Sequence, residues 1–397
     1  MKTPSELWPT PGMRLAGFGK ESVAHRGPGI CVLHIYKDYP PVLGGIELHV
    51  RLLAEAQARM GYDVTVLTAS PGLLSEEETR NGVRLIRAGR LGTAASTPIS
   101  LPMPRILRRL RPHLAHLHFP YPWGEVSQLL FGQAPCMVVT YHSDIIRQKT
   151  LLRFYRPMMN RVLSSARGII VTSGAYLESS PYLGEFRDKC AVIPLGIDLK
   201  PFLRSYPSRV RLLREFFAAP TVLFVGKLRY YKGLETLIEA VADLDARLVV
   251  LGEGPLDRKL RDKVLSMKIG DKVAFLGEVT QEMLPAYYQA ADVLVLPSSH
   301  RSEAFGLVLV EAMASGLPVI STELGTGTSF VNVHGKTGVV VPPGDPVSLK
   351  AALSVLLEDG ELRRQMGSRG RVRALTEFSA TKMVHSVCRF YDMQLRA

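Results

Sequence analysis

The chain has 397 residues, 46% of them hydrophobic and 21% charged, a composition that excludes a disordered polymer or a collagen-like repeat. At about 150 residues per domain this length predicts two or three domains with a crevice available between them. The excess of 49 Lys+Arg over 36 Asp+Glu, a net charge of +13, points to an anionic partner without naming it.

Residues 1 to about 28 mix Pro, Gly and polar types without periodicity and read as a poorly ordered tail. Ile30 to Tyr36 is a nearly continuous apolar run, as a sheet covered on both faces requires. Leu43-Gly44-Gly45, helical spacing from Ile46 to Met60, and a second apolar run over Asp63 to Thr68 complete a β-α-β unit. The rhythm continues with predicted strands at 83–87, 114–118, 137–142, 168–172 and 191–194, joined by helices or loops, so a first α/β domain is expected over 29–199. It restarts at 221–225, 247–251, 273–276, 293–296, 318–321 and 339–341, giving a second α/β domain over 200–376. Residues 377–397 carry a closing helix, with Val384, Val387, Cys388, Tyr391 and Leu395 at helical spacing. Ligands of doubly wound parallel sheets bind beyond the carboxyl ends of the strands, so functional residues should follow strands directly.

No apolar run approaches the roughly 18 residues needed to cross a bilayer, and the N-terminal stretch lacks a signal-peptide core. Cys31, Cys136, Cys190 and Cys388 form no C-x-x-C pair, which argues against a zinc ribbon or disulfide framework and for a reducing cytoplasm.

The segment Ser302 to Ala312 holds Glu303 and Glu311 around a helix start. With the helix beginning near Phe305, the amides of Phe305, Gly306 and Leu307 can hold a phosphate with help from the helix dipole. Glu303 then stands at the mouth, and Glu311, nearly two turns in, can accept two hydrogen bonds from a vicinal diol such as a ribose. The plain alternative makes Glu303 a dipole-favouring acid and Glu311 a solvated helix residue; the small, apolar Ala312 to Ile320 that follows leaves a buried-side glutamate little purpose except a ligand. In Phe224 to Gly233, a strand leads to Gly226, Lys227, Arg229, Lys232 and Gly233, and the two lysines can neutralise a departing diphosphate.

Gly44-Gly45 opens a helix after the first strand. It is half of a dinucleotide fingerprint, without the full G-x-G-x-x-G, so it reads as close backbone approach to a ligand or as a plain turn. His142, after the strand ending at Tyr141, can bond a sugar or a neighbouring loop. His113, His116 and His118 invite a metal reading, but no nearby carboxylate or cysteine completes a set, and no metal site is expected. Asp243-Leu244-Asp245 resembles a cation-binding D-x-D but lies at the amino end of a strand, the wrong edge of the sheet, and reads as a turn. Arg105 to Arg111, and Arg147 to Arg161 with Leu151, Leu152, Phe154, Met158 and Met159, interleave cations with apolar residues. They fit the surface of an anionic membrane or plain solvated helices; no nucleic-acid module accompanies the charge.

Taken in order, Gly44-Gly45-Ile46-Glu47, Tyr141-His142-Ser143, Ile193 to Asp198, Gly226-Lys227 with Lys232-Gly233, Gly252-Glu253-Gly254-Pro255 and the Glu303/Glu311 pair resemble the retaining GT-B glycosyltransferases of family 4, from Ile30 to the C-terminus. The resemblance implies an α/β GT-B fold of two Rossmann-like domains facing a cleft, with the last helix crossing back to the first domain. It implies a nucleotide-sugar donor, no metal or other cofactor, and a saccharide acceptor. Residue by residue, Glu311 would bind ribose, Glu303 the transferred sugar, Lys227 and Lys232 the diphosphate, and Gly45 and His142 the acceptor-side wall. Two departures stand out: Lys227 occupies a position where the family often has Arg, and Glu323 to Asn332 replaces the commoner Gly-Gly-x-x-Glu loop. That variant is similar to bacterial surface-polysaccharide mannosyl- and rhamnosyltransferases and tilts the donor toward GDP-mannose. The expected protein is a retaining hexosyltransferase acting on a saccharide, expected to be lipid-linked since the basic helices suit an anionic membrane, at the inner face of the cell membrane. The alternatives are a nucleotide-sugar epimerase of the same fold and a non-catalytic binding protein for anionic lipid.

Overall fold

The computed structural model describes residues 29–42, 44–146 and 149–396. The tail expected over 1–28, Leu43 of the glycine turn and Arg147 of the second basic run lie outside the described residues. The first sheet contains β1 (Cys31–Ile35), β2 (Asp63–Ala69), β3 (Glu76–Arg80), β4 (Val83–Ala88), β7 (Leu114–Phe119), β8 (Cys136–Tyr141), β9 (Gly168–Val171) and β10 (Cys190–Val192), with β5 (Gly92–Ala94) and β6 (Thr97–Ile99) forming a separate small ribbon. Its order is β10-β9-β8-β7-β1-β2-β4-β3, parallel throughout except for β3 against β4. The second sheet contains β11 (Thr221–Val225), β12 (Arg247–Leu251), β13 (Val273–Gly277), β14 (Val293–Leu296), β15 (Val319–Thr322) and β16 (Gly338–Val341), all parallel in the order β13-β12-β11-β14-β15-β16.

Helices cover both faces, which is why the central strands read as unbroken apolar runs: every residue of β7, β8 and β14 is buried. Each sheet changes direction of growth once, between β1 and β7 in the first and between β11 and β14 in the second. The crevices at such reversals are where loops splay apart and ligands enter. The glycine turn at Gly44 follows β1, the Gly226 to Gly233 loop follows β11, and the Pro297 to Gly306 loop follows β14.

The final helix, Ala380–Arg396, places Met383, Val384, Val387, Cys388, Phe390 and Tyr391 in the core of the first sheet, although it follows the second in sequence. To reach it the chain passes between the sheets a second time, beside the first passage. The Ile197 amide donates to Phe378 O at 3.0 Å and the Ala380 amide to Ile197 O at 2.9 Å. Gly196 allows this approach, because a Cβ there would lie 2.5 Å from Ser379 O.

Two features differ from expectation. The connection after β2 is not loop but β3, an antiparallel partner of β4 across the turn Asn81-Gly82, with Asn81 at φ 51°. All five β3 residues are exposed, so no apolar run announced it. The β5–β6 ribbon, antiparallel from Gly92↔Ile99 to Ala94↔Thr97, likewise lies where the sequence predicts only connection. Asp243 and Asp245 precede β12, and Asp243 pairs with Lys350 at 2.7 Å, in keeping with a turn. Among the described residues no helix is long and apolar enough to cross a membrane.

Gly196→Ala is expected to destabilise the protein by about 1–3 kcal/mol, because its methyl meets backbone rather than a movable side chain. Chemical denaturation would show this as a lowered midpoint, and an unchanged midpoint would mean that the paired passages separate without cost.

Candidate functional site

The loops after β11 and β14 meet at the reversal of the second sheet. Ser299 donates its amide to Tyr231 O at 2.8 Å, tying one loop to the other. This brings Lys232 Nζ within 2.6 Å of Glu303 Oε2, with both side chains nearly buried. Ser298 Oγ donates to the same carboxylate at 3.3 Å, while Thr326 Oγ1 donates to Glu303 O at 2.8 Å and fixes the backbone. Burial alone would lower the Lys232 ammonium; the Glu303 carboxylate, helped by Tyr231, reverses the shift and raises it. The lysine is therefore a fixed positive charge in a largely dry wall.

The helix after Glu303 begins at Leu307 rather than Phe305 and runs Leu307–Ala314. Phe305 is core: it is 3% exposed, and its ring packs edge-on against Phe378 with centroids 5.9 Å apart. Gly306 is the N-cap at φ 82°, where a Cβ would also press Leu296, and no side chain caps the helix. A glycine cap leaves the first amides to be satisfied by whatever enters the cleft. The Gly45–Arg59 helix likewise starts behind Gly44 without a side-chain cap. A Cβ on Gly45 would lie 3.6 Å from Leu307 Cδ1, so the two positive helix ends face each other across the cleft.

Glu311 consequently stands just over one turn into its helix, nearer the cap than the sequence placed it. Tyr288 donates its hydroxyl to Glu311 Oε2 at 2.6 Å. Burial pushes the Glu311 carboxyl up to about 7, against the opposing pull of Tyr288 and Lys232. Lys227, in contrast with Lys232, is exposed. It acts electrostatically on Glu47, whose carboxyl is raised by burial and lowered by its own backbone amide, Lys37 and Lys227.

His142, at the end of β8, forms part of a buried cluster that the sequence did not foresee. His34 of β1, His49 of the Gly45–Arg59 helix, His116 and His118 of β7, and His142 are each no more than 5% exposed. Parallel pairing of β1, β7 and β8 aligns these positions on one face. His113 is elsewhere, accepting the Cys31 amide at 2.9 Å. The set grouped from sequence thus loses one histidine and gains three, including His34 in the middle of an otherwise apolar strand.

The loop after His142 also contacts the second domain. Arg301 Nη2 lies 3.2 Å from Asp144 Oδ2, Arg301 Nη1 donates to Ser179 Oγ at 2.8 Å, and the guanidinium sits 5.1 Å from the Tyr176 ring centre. Asp144 is held for this by Tyr141 Oη at 2.9 Å and Ser180 Oγ at 2.8 Å. Neither Arg301 nor Asp144 was singled out for this role, although both adjoin residues that were.

The chain matches the family Glycosyltransferase Family 4 over residues 43–201 and Glycosyl transferases group 1 over residues 215–373. It is 38% identical over 352 residues to D-rhamnosyltransferase WbpZ of Pseudomonas aeruginosa, covering 88% of this chain and 92% of that protein. Over 369 residues it is 34% identical to O-antigen chain mannosyltransferase C of Escherichia coli, covering 92% and 99%. The solved structure of sucrose-phosphate synthase from Thermosynechococcus elongatus aligns with a TM-score of 0.78 at 26% identity, covering 92% of this chain and 98% of that one. The two-sheet architecture and the facing cleft are those of the GT-B enzymes, and the chain belongs to the family 4 glycosyltransferases.

Proposed function

We propose that this enzyme is a retaining α-glycosyltransferase that moves a hexose, with mannose favoured over its 6-deoxy counterpart, from a GDP-sugar to a lipid-linked saccharide during surface-polysaccharide assembly. The observation that carries the reading is the Lys232–Glu303 pair at 2.6 Å beside the uncapped Leu307–Ala314 helix. An ammonium and helix amides suit a diphosphate, and a carboxylate beside them suits the hydroxyls of the attached sugar. Glu311 takes the ribose diol. The named relatives, a D-rhamnosyltransferase and an O-antigen mannosyltransferase, support the donor class.

In the reaction, the bond from the anomeric carbon to the β-phosphate oxygen breaks while the acceptor oxygen bonds to that carbon from the same face. The acceptor proton passes to the departing phosphate oxygen. Lys232 and the helix amides stabilise the charge that grows on the leaving group, and Glu303 orients the sugar. This route asks no side chain to attack carbon and no metal to hold the diphosphate.

Thermal shift and turnover with GDP-mannose, GDP-D-rhamnose, UDP-glucose, UDP-GlcNAc and UDP-galactose, without added metal, test the proposal. A donor at 100 times its dissociation constant adds about 2.7 kcal/mol of stability. Lys232→Ala and Glu303→Ala should each remove at least about 2 kcal/mol of transition-state stabilisation with the fold intact, and full turnover in either variant would end the assignment. An epimerised donor without transfer would reveal an epimerase.

Because burial places the Glu311 carboxyl at about 7, a proton competes with the ribose near neutrality. Below that pH the carboxyl is protonated in the free enzyme, so GDP affinity should fall by up to about tenfold per pH unit as pH drops, and level off above it. Titration calorimetry across neutral pH would show this slope in the wild type and its loss in Glu311→Gln.

Membrane docking is proposed through the segments 101–109, 122–131 and 149–165, whose Leu101, Leu130, Leu151 and Phe154 are exposed at 56%, 58%, 56% and 79%. Arg105, Arg108, Arg109 and Arg153 are exposed on the same helices. Sedimentation with anionic vesicles should weaken with salt and on replacing Arg108 and Arg109 by Ala; salt-insensitive binding would sink this surface.

A further inference from the structure

The loop after β14 and the loop after β8, one from each domain, are joined by the guanidinium of Arg301. The Glu303 amide donates to His300 O at 3.0 Å, so Arg301 and Ser302 are the central residues of a turn and the backbone at Arg301 moves with Glu303. On the facing domain Asp144 stands two residues after His142. The pair of Arg301 Nη2 with Asp144 Oδ2, at 3.2 Å, therefore spans the two loops within two residues of a site residue on either side.

The first domain builds the Asp144 carboxylate as a socket. Tyr141 Oη and Ser180 Oγ both donate to Oδ1, and the Asp144 amide donates to Tyr176 Oη at 2.6 Å. The Tyr176 amide in turn donates to Ser173 Oγ at 3.1 Å. All of these partners belong to the first domain, so Oδ1 keeps its donors if the domains part, and Oδ2 is the oxygen presented to the second domain. The Asp144 side chain is 6% exposed and that of Arg301 29%, so the acid is set in the wall and the cation reaches it from the open side. A carboxylate this deep gains from a fixed, charge-assisted partner, and here that partner comes from across the cleft.

Arg301 also takes hold of the loop that departs from the Gly-Gly-x-x-Glu pattern. Its Nη1 donates to Leu324 O at 3.3 Å and Gly325 O at 3.1 Å as well as to Ser179 Oγ, and Ser179 Oγ itself hydrogen-bonds Gly325 O. Gly325 leaves room for this at φ 62°, because a Cβ there would lie 3.3 Å from Arg301 Nη1 and 3.5 Å from Ser179 Cβ. Thr326 bonds Glu303 O, and the Gly327 amide donates to Ala304 O at 2.8 Å. Segments 299–306 and 323–327 are thus bonded to each other, and Arg301 fastens both to the first domain.

We propose that Arg301 is a positioning residue, a reversible latch that plugs into the Asp144 socket and sets the Glu303 loop in register with the loop after β8. Both loops face each other correctly only while the pair is made. The latch rests on the geometry alone; its consequence for turnover rests on the reading of this cleft as a glycosyl-transfer site. Lys232, Glu311 and the amides at Leu307 all belong to the second domain, so opening the latch leaves the nucleotide groups together and separates them from the other wall. Nucleotide affinity and turnover should therefore come apart when the latch is removed.

Amide hydrogen exchange of the full chain, with GDP binding and turnover measured on the same variants, tests this. Arg301→Met and Asp144→Asn should each speed exchange across 142–145 and 323–327 while β11 and β12 stay protected as in the wild type. Each should lower kcat about tenfold and leave the GDP dissociation constant within about twofold. Because both remove one contact, the double variant should be no slower than the worse single one. Arg301→Lys keeps the charge without the fork that spans Asp144, Ser179 and Gly325; it should fall between, and it serves if Arg301→Met does not fold. Unchanged exchange in these variants, or losses that add in the double variant, overturns the latch. Faster exchange with full kcat, or GDP affinity lost along with turnover, overturns the positioning role. A wild type that consumes no nucleotide sugar overturns the transferase reading instead, and the exchange data still decide the latch, so the two failures are distinguishable.

Discussion

The cleft depends on two strands of backbone that run side by side between the sheets. Ile197 bonds to Phe378 and Ala380, so the outgoing and returning passages share a ladder rather than moving as separate linkers. The return carries the last helix into the first core, where Tyr391 and Cys388 are fully buried. Rotation of one sheet relative to the other must therefore bend both passages together. Beside this paired connection the two domains also meet where Gly45 lies near Leu307 and where Arg301 pairs with Asp144.

Within the cleft, charge is arranged with little redundancy. Two helix ends direct their positive poles at one region, an unfavourable juxtaposition unless negative charge lies between them. Glu303 is already balanced by Lys232, and burial raises the Glu47 carboxyl, so much of that negative charge is left for a ligand to bring. The proposed donor brings a diphosphate of the right sign. On that proposal, its arrival would draw Lys232 from Glu303 and release the carboxylate to sugar hydroxyls, the internal ion pair standing in for the substrate until then.

The sheet strands were legible because covered parallel strands demand continuous apolar runs, and the motifs were legible because glycine, lysine and glutamate recur directly after such runs. The β3 strand was hidden for the opposite reason: Glu76 to Arg80 contacts no core, and only the Asn81-Gly82 turn signalled a hairpin. The helix start slipped by two residues because Phe305 has the character of a core residue rather than a cap, and in the fold it serves the core. The histidine cluster was legible only in His116 and His118. Its members come from positions 34, 49, 116, 118 and 142, and only the strand order β8-β7-β1 brings them together. Similarly, nothing in the spacing of Asp144 and Arg301 tells that they meet, since their contact arises between domains.

The exposed β3 strand has a meaning for the whole molecule. It closes one margin of the first sheet, and its residues Glu76, Glu77, Glu78, Thr79 and Arg80 leave no apolar face on which another strand could settle. Glu77 and Glu78 turn toward Arg84 and Arg87 of β4 at 2.6 and 2.7 Å, so the acids serve the molecule's own sheet. A neighbouring copy that tried to extend the sheet would have to bring its strand against three crowded carboxylates. This margin of the first sheet is therefore closed to strand pairing with a second copy even where the protein is concentrated.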